Sequence, residues 1–205
     1  MTKAKLDRER AVPAAPTDAP ESVEETRAYA ELPRLARRTV ETFVREGRVV
    51  ELPQASDESL LREPSACFVS IKTEEGDLRG CIGTIEPTRP SLAEELIANA
   101  ISAATRDPRF LPVTPDELPH LRFSVDVLSA PEPARLEDLD PTTYGVIVTD
   151  ESGRQRGLLL PAIEGVETVA QQVAIAARKA GLRPDAALKL YRFRVKRFNE
   201  RPETA

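Results

Sequence analysis

The sequence predicts an α+β protein built on antiparallel hairpins. Three observations carry that class. Segments 66–73 and 78–85 read as a strand pair joined through turn-forming residues, and 145–149 and 156–160 as a second hairpin that turns through Asp150 to Gly153. Stripes of helical period fall at 32–46, 91–107 and 168–180, between the hairpins rather than apart from them. Each helix carries its own start and stop signals. No internal repeat stands out.

Residues 1–24 are rich in Ala, Pro and charge, with Pro13, Pro16 and Pro20 closely spaced. That composition predicts a disordered tail, because it buries too little apolar area to offset its ordering entropy. Residues 25–205 then form one domain. Its first helix runs from Leu32 or Pro33 to Glu46, with Leu35, Thr39, Val40, Phe43 and Val44 on one face and Gly47 as the stop. An irregular stretch follows to Pro64.

The first hairpin turns at Glu75–Gly76, where glycine tolerates a positive φ. That turn sets Val69 opposite Ile82 and Ile71 opposite Gly80 on one face. On the other face it sets Lys72 opposite Arg79, Ser70 opposite Cys81 and Phe68 opposite Gly83. A slip of one residue would mix the apolar and polar sets. The next helix begins at Ser91, whose spacing to Glu94 fits a capping box, and ends before Pro108. Leu92, Leu96, Ala100, Ile101, Ala103 and Ala104 form its buried stripe. Residues 107–119 make a Pro-rich surface loop with a helical turn at Pro115–Leu118. In 120–128, Leu121, Phe123, Val125 and Val127 alternate with Arg122, Ser124 and Asp126, as in a half-buried strand. The last helix has Thr168 and Gln171 at capping-box spacing and stops at Gly181. A final single strand covers 188–198, with Tyr191, Phe193 and Val195 inward and Arg192, Arg194 and Lys196 on a solvated face that protects an edge.

Composition excludes several functions. The 205 residues carry 29 Lys+Arg against 34 Asp+Glu, a formal charge of -5. Such a balance disfavours non-specific nucleic-acid binding, and an aromatic content of 4% disfavours a base-stacking platform. One His and two Cys do not furnish the four ligands of a structural zinc site, and no disulfide framework or cofactor motif is present. No apolar run of membrane-spanning length and no signal-peptide pattern occurs, so the expected location is the cytoplasm.

One segment stands out chemically, Leu78-Arg79-Gly80-Cys81-Ile82-Gly83. Glycines weaken a strand, so two flanking a cysteine call for a reason. One reason is access: small neighbours let a ligand approach the thiol and its amides. The register places Ser70, Lys72 and Arg79 on the face of Cys81, where cations favour the thiolate, a nucleophile or redox centre. The other reason is structural, a helix packed closely on the glycines. Cys67 faces the opposite way and reads as core filler, so no Cys67–Cys81 disulfide is expected. His120, at an element end, reads as a junction residue rather than a partner of Cys81. In Arg106-Asp107-Pro108-Arg109-Phe110, Arg106 and Arg109 either clamp an anion or cap the helix before them.

These residues resemble the AMMECR family, whose bacterial and archaeal members are called AmmeMemoRadiSam system protein A. The resemblance rests on Arg79-Gly80-Cys81-Ile82-Gly83, Arg106-Asp107-Pro108-Arg109-Phe110 with Pro112-Val113-Thr114, Glu117-Leu118-Pro119, Gly157-Leu158-Leu159-Leu160-Pro161 and Lys189-Leu190-Tyr191-Arg192-Phe193. It covers roughly residues 30–200. It implies a two-lobe α+β fold, a mainly antiparallel sheet flanked by helices, and a cleft near residues 78–83. It also implies partners: a Memo-like protein and a radical SAM protein. It names no reaction and no cofactor. Two expectations follow. In the first, the chain is an enzyme with Cys81 as nucleophile or thiol acid/base, Arg79 lowering its pKa, and Arg106 or Arg109 holding a small anionic substrate beside Ser70, Lys72, Gly80 and Gly83. In the second, it is a binding module for those partner proteins.

Overall fold

The computed structural model describes residues 31–52, 59–183 and 186–200; the expected N-terminal tail lies outside them. Helix α1 (Leu32–Glu46) begins with Pro33 in its first turn and ends where Gly47 adopts φ 68°. A short turn of helix, α2 (Ser59–Arg62), follows. Strands β1 (Cys67–Thr73) and β2 (Leu78–Gly83) form the first hairpin. Helix α3 (Leu92–Thr105) starts at Ser91, whose hydroxyl accepts from the Glu94 N–H. Next come β3 (Leu121–Leu128), a three-residue β4 (Glu132–Ala134), and the hairpin β5 (Gly145–Thr149) and β6 (Arg156–Leu159). Helix α4 (Val169–Lys179) has the full Thr168/Gln171 capping box. Strands β7 (Lys189–Phe193) and β8 (Val195–Asn199) close the chain.

The antiparallel strands divide into two four-stranded sheets, ordered β2-β1-β3-β8 and β4-β7-β5-β6. The expected single last strand is therefore two. At Arg194 the chain leaves one sheet for the other, and Ser129 pins the crossing: its N–H donates to the Arg194 carbonyl at 3.0 Å and its hydroxyl accepts from the Arg194 N–H at 2.9 Å. Arg192 consequently lies on an interior strand, stacked 4.7 Å from the Tyr144 ring, and not on a sheet edge. The helical turn expected at 115–118 lies slightly later, at Leu118–His120.

The two sheets share a plan. In each, a hairpin leads into a helix, and the next strand pairs with the first hairpin strand: β1-β2-α3-β3 and β5-β6-α4-β7. Second-lobe positions lie 77 residues after their counterparts from strand to helix, as Gly157 follows Gly80. Gly76 and Gly153 make the same turn, each amide bonding to the carbonyl three residues back, with φ 97° and 72°. Ser91 and Thr168 cap equivalent helices. Gly80 and Gly157 occupy equivalent places under those helices. A Cβ on Gly80 would lie 2.2 Å from the Ala103 carbonyl oxygen, and one on Gly157 would lie 2.3 Å from that of Ala176.

The helix-facing side of the first sheet is a core of Val69, Ile71, Phe123 and Val125 packed with Leu32, Val40, Leu96 and Ala100. Val146, Val148, Leu159 and Ala176 form its counterpart in the second lobe. The opposite faces meet in a shared core: Phe68, Leu128 and Val195 from the first sheet against Ile147, Leu158 and Phe193 from the second. The sheets thus stand back to back between their helices. No helix among the described residues is long and apolar enough to cross a membrane.

Candidate functional site

The polar row of the first sheet begins at the margin of the shared core. Alternation puts Ser70 two residues beyond Phe68 on the same face, and the ladder aligns Cys81, Ser70, Ser124 and Asn199 across all four strands. The pairings Phe68–Gly83, Val69–Ile82, Ser70–Cys81 and Ile71–Gly80 are those the sequence predicts. Beyond them the register shifts. Lys72 pairs with Leu78, so the expected Lys72–Arg79 pair does not form and Arg79 is the extra residue of a bulge.

That bulge re-aims Arg79. Its guanidinium donates to both oxygens of Glu117 (2.7 and 3.1 Å) and to the carbonyls of Leu111 and Pro112. Glu117 also accepts from the Thr114 N–H at 2.8 Å. These donors, Arg79 first, hold the Glu117 carboxyl below its ordinary range. Arg79 therefore fastens the 111–117 loop to the strand.

Cys81 is half-buried, and the Ser70 hydroxyl donates to its sulfur at 3.2 Å. Its backbone faces the sheet edge. Asp107 accepts the Cys81 N–H at 2.9 Å, and Arg109 donates to the Cys81 carbonyl at 3.3 Å. Arg109 in turn grips Asp107 through Nε (2.9 Å), Nη2 (2.7 Å) and its own N–H. That grip, more than the Cys81 amide, drives the Asp107 carboxyl far below its usual range despite burial. The Asp107–Arg109 pair thus serves as a one-residue strand against β2. The charged ends of Arg109 and Arg197 both lie within electrostatic reach of Cys81. Arg197 is held by the buried Asp126 at 2.7 and 2.8 Å.

The other predicted site residues distribute as follows. Lys72 is exposed on the same sheet face, two residues beyond Ser70. Gly80 is filled by the Ala103 carbonyl, and Gly83 lies beneath the Phe68 ring, whose atoms would stand 2.2 Å from a Cβ. Neither glycine opens a path to the thiol. Arg106, at the end of α3, lines a separate groove with Phe43, Ile97 and Ile101. His120 is exposed beside Glu74 at 3.4 Å. Cys67 is fully buried, and burial pushes its thiol up to about 12. No cluster of three or more His, Cys, Asp or Glu among the described residues is arranged to hold a metal ion.

Sequence reasoning missed Glu95. It is fully buried and accepts from the Thr84 hydroxyl (2.7 Å), the Thr88 N–H (2.7 Å) and the Arg89 N–H (2.8 Å), which fixes the loop leaving β2. The available signal was a second acid in the first turn of α3, one residue past the capping-box position. Asn199 and Arg197 were also missed, because the pairing of β3 with β8 joins distant segments.

Fold and site together define a two-lobe α+β protein with a clamped cysteine on an edge strand. A family model, AMMECR1, matches residues 33–200, and the chain belongs to that family. A Thermotoga maritima protein is 50% identical over 165 residues, covering 80% of this chain and 94% of the relative. A Clostridium acetobutylicum protein is 46% identical over 168 residues; the match covers 82% of this chain but 35% of that longer protein. The crystal structure of the uncharacterized protein PH0010 from Pyrococcus horikoshii is similar with a TM-score of 0.75 at 33% identity, covering 83% of this chain and 90% of that one.

Proposed function

We propose that the chain is a small-molecule enzyme in which Cys81 supplies the reactive thiol. The observation that carries this reading is that both backbone polar groups of a half-buried cysteine are fixed by Asp107 and Arg109 while Ser70 donates to its sulfur. A cysteine held at three points, two on its backbone and one on its sulfur, needs little reorganisation to meet a substrate. The second lobe adds support, because Leu158 and Ile147 stand where Cys81 and Ser70 stand in the first. The fold does not require the polar pair. Lys72 and the half-exposed Arg109 favour a small anionic substrate on the open sheet face. Cys81 is the nucleophile or thiol acid/base, Ser70 orients it, and Asp107 positions it.

The test is alkylation of the native protein by iodoacetamide with the modified peptides mapped by mass. Cys81 is expected to label readily and Cys67 only after unfolding. Equal, slow labelling of both in the native state removes the nucleophile.

A second reading is a binding module acting with Memo-like and radical SAM proteins, the partners the family resemblance implies. Leu111, 83% exposed on the loop that Arg79 holds, favours it. So does the Clostridium acetobutylicum relative, in which the matching region is part of a longer chain. On this reading Cys81→Ala retains function and Leu111→Asp loses it, whereas the enzyme reading demands the reverse.

A further inference from the structure

A groove of about 560 Å³ runs beside the outer face of α3, away from the clamp on Cys81. Its floor is apolar, formed by Phe43 of α1, Val50 and Leu52 of the following segment, and Ile97 and Ile101 of α3. Val49, 53% exposed, adds to the same surface. Arg89 and Arg106 also line it, and both are exposed. Arg89 precedes α3 and Arg106 follows it. Neither side chain meets a carboxylate among the described residues.

We propose that this groove docks a short extended segment of a partner protein, apolar in the middle and acidic at both ends. Charge complementarity and length select that occupant. The two arginines bracket a helix of 14 residues. At 1.5 Å per residue it is about 21 Å long, the reach of roughly six extended residues. An apolar floor between two cations matches an apolar stretch between two carboxylates. Glu94 also lines the groove, inboard of Arg89. It repels an acidic group placed short of the end and so favours the full spacing. At the other end the α3 carbonyls disfavour an anion, and Arg106 offsets them. The proposal does not depend on the chemistry of Cys81.

The experiment is fluorescence polarisation of the full chain with a fluorescein-labelled peptide, Glu-Glu-Leu-Phe-Leu-Leu-Glu-Glu. Saturable binding is expected. Arg89→Glu and Arg106→Glu should each weaken it by about tenfold, and added salt should weaken it further. Cys81→Ala should leave it unchanged, which separates this proposal from the thiol reading. Both arginines are exposed, so the variants should fold, and far-UV circular dichroism checks that they do. Absence of saturable binding overturns the proposal, as does binding insensitive to both charge reversals. Charge-dependent binding of dodecanedioate without binding of the peptide overturns it in favour of a small diacid site.

Discussion

The two lobes use one plan for two purposes. Each has a hairpin whose second strand lies against a helix through a glycine, Gly80 under α3 and Gly157 under α4. Each helix buries a polar side chain at the same position, Glu95 in one and Gln172 in the other. On the sheet faces turned away from the helices they part. The second lobe puts Ile147 and Leu158 there, in the shared core. The first puts Ser70 and Cys81 there, at its margin. What the lobes share is demanded by packing; what differs is free to serve function.

The largest expected effect tests the shared part. Gly80→Val and Gly157→Val each drive a side chain into helix backbone, which cannot yield as a flexible side chain would. Each should cost on the order of 3 kcal/mol or prevent folding, read by urea denaturation. A tolerated valine at either position breaks the equivalence of the lobes.

The next effect distinguishes the two buried polar groups. Glu95→Gln leaves some of the Thr84, Thr88 and Arg89 donors unmatched and should cost about 2 kcal/mol. Gln172→Leu should cost less. Among the described residues the Gln172 side chain makes one bond, to the Tyr144 carbonyl at 2.8 Å, and its own oxygen finds no partner. The reverse order of costs in a thermal melt would mean that the α3 carboxylate does not hold its loop.

Transplanting the thiol sharpens the contrast further. Leu158→Cys should cost about 2 kcal/mol through lost apolar volume. Its sulfur should resist iodoacetamide in the native state, because Leu158 is 5% exposed. Rapid labelling at 158 would show that reactivity needs neither Ser70 nor the clamp.

The smallest effect concerns the clamp. The folded Asp107 carboxyl titrates below its unfolded value, which is about 3.9. Its stabilisation is therefore full above about pH 4 and is lost as pH falls toward the folded value. Arg109 is half-exposed, so solvent screening limits the contribution. Asp107→Asn should cost roughly 1 kcal/mol at pH 7, and the gap from the wild type should narrow in acid. A gap that stays constant down to pH 2 would remove the ion pair from the clamp.

Much of this was legible in the residues. The caps Ser91 and Thr168, the stop at Gly47 and the inner pairs of the first hairpin follow from local chemistry. Arg79 was legible as unusual, but its direction was not. The bulge that turns it toward Glu117 depends on a loop more than 30 residues away. The split of the last strand was hidden because alternation from Tyr191 to Val195 continues through the crossing at Arg194. The repeated plan was hidden because few residues match between the lobes; Arg79-Gly80 against Arg156-Gly157 is too short to stand out. Arg106 and Arg109, three residues apart, read equally as one anion clamp or as caps of the helix before them. The chain turn at Asp107–Pro108 sends them to different surfaces.

The clamp has one more consequence. Strand β2 is the outermost of its sheet, and the Cys81 N–H and C=O point away from β1. Unoccupied groups of that kind invite pairing with the edge of another molecule and are an aggregation hazard. Asp107 and Arg109 saturate both with one carboxylate and one guanidinium. Strand β2 is thus kept from recruiting a neighbour's backbone, while the Cys81 side chain stays half-exposed.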